Sequence, residues 1–254
     1  MQGRIIDLAT GSAPWNMAVD QALLESVDQT QVPVIRFYQW ESPALSLGYF
    51  QKMADRELHP ASRDADCVRR ATGGGAILHD RELTYSVALP FAASATGARL
   101  SLYRESHQAV ADSLRDFGVQ LLPHRLDQGW NGNADAFLCF QRRTDEDLIM
   151  SGYKILGSAQ RRAKRATLQH GSLLLRASPL APELPGIWNL GGREASDQQV
   201  AQGISERLRK LVGKQVGPGQ PIQWADSTLT PNEQERAKTI QSDRFASDSW
   251  ANRR

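Results

Sequence analysis

CVRRATGGGAILHDRELTYSVALP, residues 67–90, sets three consecutive glycines between two segments typical of β-strands. The flanking segments are short and rich in β-branched and aromatic residues, which favours strands over helices. Glycine accepts positive φ values and allows another group to touch the main chain. The run therefore predicts either a tight connection between strands or a loop whose bare N–H groups face an anion or a carbonyl oxygen.

The glycine spacing excludes two common phosphate-binding motifs. It matches neither G-x-x-x-x-G-K-[ST] nor a G-x-G-x-x-G that opens a helix. Arg69 and Arg70 stand directly before the run, and alternation along a strand sends neighbouring side chains to opposite faces. We therefore expect one of these arginines to enter a ligand site and the other to be solvated or ion-paired.

Composition narrows the class of protein. The 254 residues are 41% hydrophobic, enough to bury a large core, so we expect one domain over residues 1–254. A formal charge of +2 indicates neither a nucleic-acid nor a membrane partner, and no run of about 18 apolar residues predicts a membrane span. Cys67 and Cys139 are the only cysteines, which predicts neither a disulfide framework nor a metal site and favours a reducing cytoplasm.

The first half of the chain mixes helices and strands. An amphipathic helix that begins near Pro14 is expected to open the fold, because proline is tolerated in a first turn. Two adjacent strands are expected within residues 32–40 and 44–50. A second helix covers residues 101–117, and Gly118 stands where a helix commonly ends.

The second half begins with three strands, in residues 146–151, 153–160 and 166–176, which we expect to pair antiparallel. Capping-box residues predict two further helices, one from Ser196 to Gly213 and a shorter one after Thr230. The Pro- and Gly-rich residues 213–231 between them read as a loop. Strands that arrive as neighbours between helices indicate an α+β layer structure rather than repeated βαβ units.

Several motifs in order carry a family resemblance over nearly the whole chain. RRATGGGAILH, NMAVDQALL, RFYQWESPALSLGYFQ, YKILGSAQRR, LQHGSLLL and the closing RFASDSWANRR resemble the lipoate-protein ligase and octanoyltransferase superfamily. The resemblance implies a single mixed, largely antiparallel β-sheet flanked by helices, as in biotin ligases, with an eight-carbon acyl chain lying along the glycine run. It also implies an ordered C-terminal helix.

The resemblance also implies the site. A lysine after the paired-glycine hairpin contacts the acyl carbonyl or an acyl phosphate in such enzymes, and Lys154 holds that place. Its ammonium would stabilise a developing oxyanion. On residue type alone, a strand lysine that reaches to water is the alternative. The substrate-binding residues implied are Arg69, Arg70, Thr72, Gly73, Gly74, Gly75, His79, Gly157, Ser158 and Ala159.

Cys139 decides the branch of the superfamily. It precedes Lys154 where one type of octanoyltransferase keeps its nucleophile, and HDRELTYS and LQHGS are more similar to that branch. We also expect no separate C-terminal accessory domain of the kind that many ligases carry. A thiolate attacks an acyl group readily, and the resulting thioester still acylates an amine. The alternative for Cys139 is a buried structural cysteine, which is how we interpret Cys67.

The remaining candidate functional residues are two histidines and a run of basic residues. His79 is expected to contact substrate, whereas His170 is expected to be structural. Residues 161–165, RRAKR, are either a solvated loop or a docking patch for acidic carrier domains.

The function expected is therefore transfer of an octanoyl group from octanoyl-acyl carrier protein, through Cys139, to a lysine of a lipoyl-accepting domain. Such acceptors are glycine cleavage H protein and the E2 subunit of 2-oxoacid dehydrogenases. No cofactor is expected. The alternatives are an ATP- and Mg-dependent lipoate ligase, an amidotransferase between lipoyl domains, and a non-catalytic binding module.

Overall fold

A computed structural model describes residues 1–90, 98–126, 135–216 and 221–253. In these ranges the strands are β1 Gln2–Gly11, β2 Val34–Trp40, β3 Ala44–Leu47, β4 Asp66–Arg69, β5 Ile77–His79, β6 Glu82–Pro90, β7 Leu122–Pro123, β8 Leu148–Met150, β9 Tyr153–Arg162, β10 Ala166–Leu174 and β11 Gln223–Ser227. The α-helices are α1 Ala13–Thr30, α2 Ala98–Leu114, α3 Asp197–Val216, α4 Pro231–Ile240 and α5 Asp248–Ala251.

Eight strands form one mixed sheet in the order β11-β1-β2-β6-β10-β9-β8-β7. β1 runs parallel to β2 and β11, and the other neighbours pair antiparallel. This confirms the α+β class and the antiparallel order of β8, β9 and β10. A second, three-stranded sheet, β4-β3-β5, adds to the single sheet that was expected and carries the glycine run.

Helices cover both faces of the large sheet. α2 and α3 pack on one face around residues such as Tyr85 and Leu173, while α1 and α4 pack on the other around Ala88 and Leu168. Alternating residues of β6 and β10 thus enter two different cores, which is why β6 is buried along nearly its whole length. A third core lies under the small sheet.

Long-range pairing accounts for the predictions that were wrong. The fold opens with β1 rather than with a helix, and the loop predicted over residues 213–231 contains β11, a short and largely exposed edge strand. β2 and β3 belong to different sheets rather than lying side by side. α3 continues past Gly213, because this glycine does not adopt the left-handed conformation that ends a helix.

Local signals in the sequence were more reliable. α2 gives way to a 3-10 turn that ends at Gly118 in the left-handed region, with φ of 73°. Thr230 caps α4 through the Glu233 N–H, as its capping box predicts. The C-terminal segment is ordered in α5, as the resemblance implied. No helix among the described residues combines the length and apolarity that a membrane crossing requires.

A second glycine lies directly against the glycine run. Gly74 has φ of 96°, which L side chains rarely adopt. A Cβ on Gly48, which follows β3, would lie 2.0 Å from the Gly74 carbonyl oxygen. The main chains of these two segments therefore touch, and the shape of the run depends on both glycines.

We predict that Gly48→Ala lowers the free energy of unfolding by roughly 1–3 kcal/mol, because the backbone of residue 74 must move. Gly213→Ala, on an unobstructed face of α3, is expected to raise it by about 0.5–1 kcal/mol, the usual gain for alanine in a helix. Urea denaturation of both variants checks the pair. A neutral Gly48→Ala would contradict the contact.

Candidate active site

A cavity of about 370 Å³ lies between the small sheet, α1 and the large sheet. That volume is within the range of small-molecule sites. The glycine run, the Cys139 segment and β9 line it, together with Met17, Tyr38 and Trp40. Predicted site residues that line it are Arg70, Thr72, Gly73, Gly74, His79, Cys139, Lys154, Gly157, Ser158 and Ala159.

Arg70 holds the glycine run in shape. Its guanidinium is almost fully buried and donates to the carbonyl oxygens of Gly73 and Gly75, both at 2.9 Å. It also donates to the carbonyl and hydroxyl oxygens of Ser46 in β3. The run is therefore tied to the small sheet by a charged group whose hydrogen bonds are made with protein.

Gly75 lies beneath the segment that carries Cys139. A Cβ on Gly75 would lie 2.9 Å from the Phe137 carbonyl oxygen and 3.1 Å from the Cys139 nitrogen. Two main-chain hydrogen bonds hold the segments together, from the Cys139 N–H to Ala76 at 2.6 Å and from the Ala76 N–H to Phe137 at 3.0 Å. Gly75 was expected to bind substrate. In the structure Gly75 makes room for the protein's own main chain, and it is not among the residues that line the cavity.

Lys154 lies beside the Cys139 thiol. Its Nζ is 3.8 Å from Cys139 Sγ and 3.5 Å from the Cys139 carbonyl oxygen. The side chain is 4% exposed, and a Cβ on Gly157 would lie only 2.5 Å from its Cε. Gly157 thus leaves the space through which the lysine reaches the cavity.

Asp147 is the buried partner of Lys154 and was missed by the sequence analysis. Its Oδ2 lies 2.7 Å from Lys154 Nζ and accepts the Thr144 N–H at 2.7 Å. Its Oδ1 accepts from the Tyr103 hydroxyl at 3.3 Å. Burial and the Asp147 carboxylate raise the pKa of Tyr103, so this hydroxyl stays protonated. The sequence feature that could have indicated this residue is an acidic side chain directly before the β8–β9 hairpin.

His79 lines the cavity with its ring, while both ring nitrogens are bonded to protein. Nδ1 donates to Glu82 at 2.6 Å, and Nε2 accepts from the Ser46 hydroxyl at 2.7 Å. Burial lowers the pKa of His79 despite the carboxylate beside it, which fits a neutral imidazole with these two roles. Trp40 stacks on the ring at 3.7 Å between centroids.

His170 lines the cavity beside a buried ion pair. Its Nδ1 is 3.2 Å from Asp20 Oδ2, and Asp20 also pairs with Arg36 at 2.8 Å. Burial alone would raise the pKa of Asp20, but His170 and Arg36 lower it below its ordinary value. The carboxylate explains why a polar histidine can stand at the wall of the cavity.

Ser158 joins the cavity to a second buried histidine, His107 of α2. The hydroxyl of Ser158 donates to His107 Nε2 at 2.7 Å, and His107 Nδ1 donates to the Glu146 carbonyl oxygen at 2.7 Å. Burial lowers the pKa of His107 from 6.5 to about 4. The imidazole is therefore neutral, and each nitrogen has one partner.

Arg69 was expected among the substrate-binding residues and lies elsewhere. It is fully buried and donates to the carbonyl oxygens of Gly48 at 3.1 Å and Ala251 at 2.7 Å. Alternation along β4 therefore sends Arg70 toward the cavity and Arg69 toward the C-terminal segment. Arg69 is therefore buried rather than solvated, and its guanidinium is bonded to main-chain oxygens of two segments.

A thiol, an ammonium and a carboxylate at the wall of a mainly apolar cavity suit acyl transfer. The model of the lipoyl protein ligase A/B catalytic domain matches residues 12–211, and the chain belongs to this family. It is 30% identical to the octanoyltransferase LipM of Kyrpidia tusciae over 97% of both chains, and 32% identical to that of Brevibacillus brevis over 100% of this chain and 99% of the relative.

Among solved structures, lipoate-protein ligase A bound with ATP has a TM-score of 0.75 to this chain. The identity is 23%, with 99% of this chain and 98% of the other covered. This likeness concerns the fold.

We predict that His107 makes stability depend on pH. Between pH 6.5 and about 4 the unfolded chain binds a proton that the folded chain excludes, so stability is full above 6.5 and falls as the pH drops. The loss amounts to about 3 kcal/mol. In urea denaturation at several pH values, His107→Gln should flatten the slope in this window. The same slope in both proteins would contradict the prediction.

Proposed function

We propose that the protein is an octanoyltransferase of protein lipoylation that carries its acyl group on Cys139. The observation that carries the proposal is the position of the thiol, on the cavity wall and 3.8 Å from Lys154 Nζ. Family membership and similarity over nearly the full length to octanoyltransferases support it. We take residues 1–254 as one catalytic domain.

In the first step, Cys139 Sγ attacks the carbonyl carbon of an octanoyl thioester. A bond forms between Sγ and this carbon, the bond to the donor sulfur breaks, and the Cys139 proton leaves with the donor thiol. The Lys154 ammonium stabilises the oxyanion on the attacked carbonyl. The apolar part of the cavity receives the octanoyl chain.

In the second step, a lysine amine of the acceptor attacks the Cys139 thioester. The new C–N bond replaces the C–S bond, and the proton that the amine releases restores the Cys139 thiol. A thioester retains enough free energy for this transfer, so the two steps need neither ATP nor a metal ion.

The partners proposed are an octanoyl-acyl carrier protein as donor and a lipoyl-accepting domain as acceptor, such as glycine cleavage H protein or a 2-oxoacid dehydrogenase E2 subunit. A lipoyl domain that already carries the acyl group would serve equally as donor in an amidotransferase reaction. Tyr153 and Phe50, exposed by 44% and 68%, offer apolar surface to such a domain near Lys154 and the glycine run.

We predict that octanoyl carrier protein adds one octanoyl mass to the wild-type protein and that hydroxylamine removes it. Cys139→Ala should give no adduct, because the nucleophile is gone, while Cys67→Ala should be acylated like the wild type. Intact-mass spectrometry checks all three. A wild-type protein that transfers octanoyl without ever carrying it would contradict the proposal.

The second candidate is an ATP-dependent ligase, which the fold shared with ATP-bound lipoate-protein ligase A favours. In that case transfer would require ATP, Mg²⁺ and free lipoate, and it would survive Cys139→Ala. Assays with either donor set on the same acceptor separate the two.

Asp147→Asn is predicted to slow octanoylation of Cys139 by roughly a hundredfold, because Lys154 loses the carboxylate that orients it. The apparent KM for the donor should change little, since Asp147 faces the lysine rather than the acyl chain. Asp145→Asn, two residues away and exposed, is the matched control. A raised KM with an unchanged kcat would show that Asp147 acts on binding instead.

A further inference from the structure

Two arginines of the C-terminal segment, Arg244 and Arg253, pack against the Trp250 ring. The Arg244 guanidinium carbon lies 5.0 Å from the Trp250 ring centroid, and that of Arg253 lies 4.6 Å from it and 4.4 Å from the Tyr49 ring. Arg161, at the end of β9, lies near enough for the charge of Arg244 to act on it. We call Arg161, Arg244 and Arg253 the arginine cluster.

The cluster adjoins the wall of the cavity. Arg161 Nη1 donates to the Ala71 carbonyl oxygen at 2.8 Å, and the Tyr49 N–H donates to the Thr72 carbonyl oxygen at 2.9 Å. Thr72 lines the cavity, as does Gln160 next to Arg161. The residues that carry the cluster are thus bonded to the segment that leads into the glycine run.

The Arg244 and Arg253 side chains have no acidic partner among the residues that the structure describes. In the parts of the chain that the structure describes, the side chains of Arg244 and Arg253 make no hydrogen bond or ion pair, and Arg244 Nη1 is shielded from solvent without an acceptor. Burial and the charge of Arg244 lower the pKa of Arg161. Glu25 acts on Arg161 in the opposite sense, but it is paired with Arg236 at 2.7 Å.

We propose that the arginine cluster binds the phosphate group of a pantetheine-type acyl donor while its acyl chain occupies the cavity. This rests on the proposed octanoyltransferase function. The Arg244 and Arg253 guanidinium groups both pack against the Trp250 ring, and guanidinium groups match the geometry of phosphate oxygens. The exposed Phe50 ring against Gly73 gives the uncharged arm an apolar surface between cavity and cluster.

The test compares two small donors that differ only in the phosphate, octanoyl-pantetheine and octanoyl-phosphopantetheine. Octanoylation of Cys139, followed by intact mass, gives the apparent affinity for each. We expect the wild type to favour the phosphate-bearing donor at least tenfold, as for a charge-assisted hydrogen bond. Arg244→Gln should lose this preference and leave octanoyl-pantetheine unaffected. Arg209→Gln on α3 is the matched control.

Arg253→Gln is a second variant, chosen because this exposed residue lies at the end of the chain and its loss leaves the core intact. It should lower the preference for the phosphate-bearing donor in the same direction. Octanoyl carrier protein and octanoyl-coenzyme A then show which natural source of the phosphate group depends on the cluster. Equal affinity for the two small donors in the wild type would overturn the proposal, as would equal losses for both in Arg244→Gln.

Calorimetry with phosphopantetheine alone separates this proposal from the proposed function. Weaker binding to Arg244→Gln than to Arg209→Gln supports phosphate binding by the arginine cluster even if no donor acylates Cys139. Equal binding to the two variants overturns the cluster while leaving acylation by octanoyl-pantetheine as evidence for the octanoyltransferase.

Discussion

The contact between Gly75 and the Cys139 segment is the constraint on which the site depends. A side chain on Gly75 would collide with the main chain of Phe137 and Cys139, and two main-chain hydrogen bonds close the contact. Arg70 holds the other side of Gly75 through its carbonyl oxygen. The main chain of the glycine run thus holds the main chain of the Cys139 segment. The position of the thiol therefore does not depend on the rotamers of neighbouring side chains.

A buried ion pair then places the ammonium beside that thiol. Desolvation of Lys154 and Asp147 costs several kcal/mol, so the pair is a weak contribution to stability, and its value lies in orientation. Asp147 receives hydrogen bonds from Thr144 and Tyr103 as well, which fixes the carboxylate on both oxygens. The lysine is held near Sγ by a carboxylate rather than by packing alone, which suits a group that must meet a developing charge.

Local chemistry in the sequence predicted local structure well. Capping residues placed α3 and α4, and alternation with a Ser151-Gly152 turn placed β8 and β9. Side-chain directions and strand register that depend on contacts between distant segments could not be predicted from the sequence. Alternation showed that Arg69 and Arg70 diverge, but the direction of each depends on a C-terminal segment that bonds Arg69. Asp147 pairs with Lys154 next to a register shift between Leu148 and Ile149, which no local pattern in the sequence indicates. Cys139 and Lys154 were linked by family resemblance, not by any pattern of spacing.

Hydrogen bonds through Glu82 connect the two sheets on which the site is built. This carboxylate belongs to β6 of the large sheet and accepts from Thr84 and Ser172 there, while His79 of the small sheet donates to it at 2.6 Å. Burial alone would raise the pKa of Glu82, but these donors, His79 foremost, lower it, so the group stays charged. His79 also accepts a hydrogen bond from the Ser46 hydroxyl, and this hydroxyl accepts one from Arg70. A buried network of this kind is rigid, because breaking one of these bonds leaves a buried polar group without that partner. The glycine run is therefore fixed relative to β9 and β10, whose residues line the same cavity.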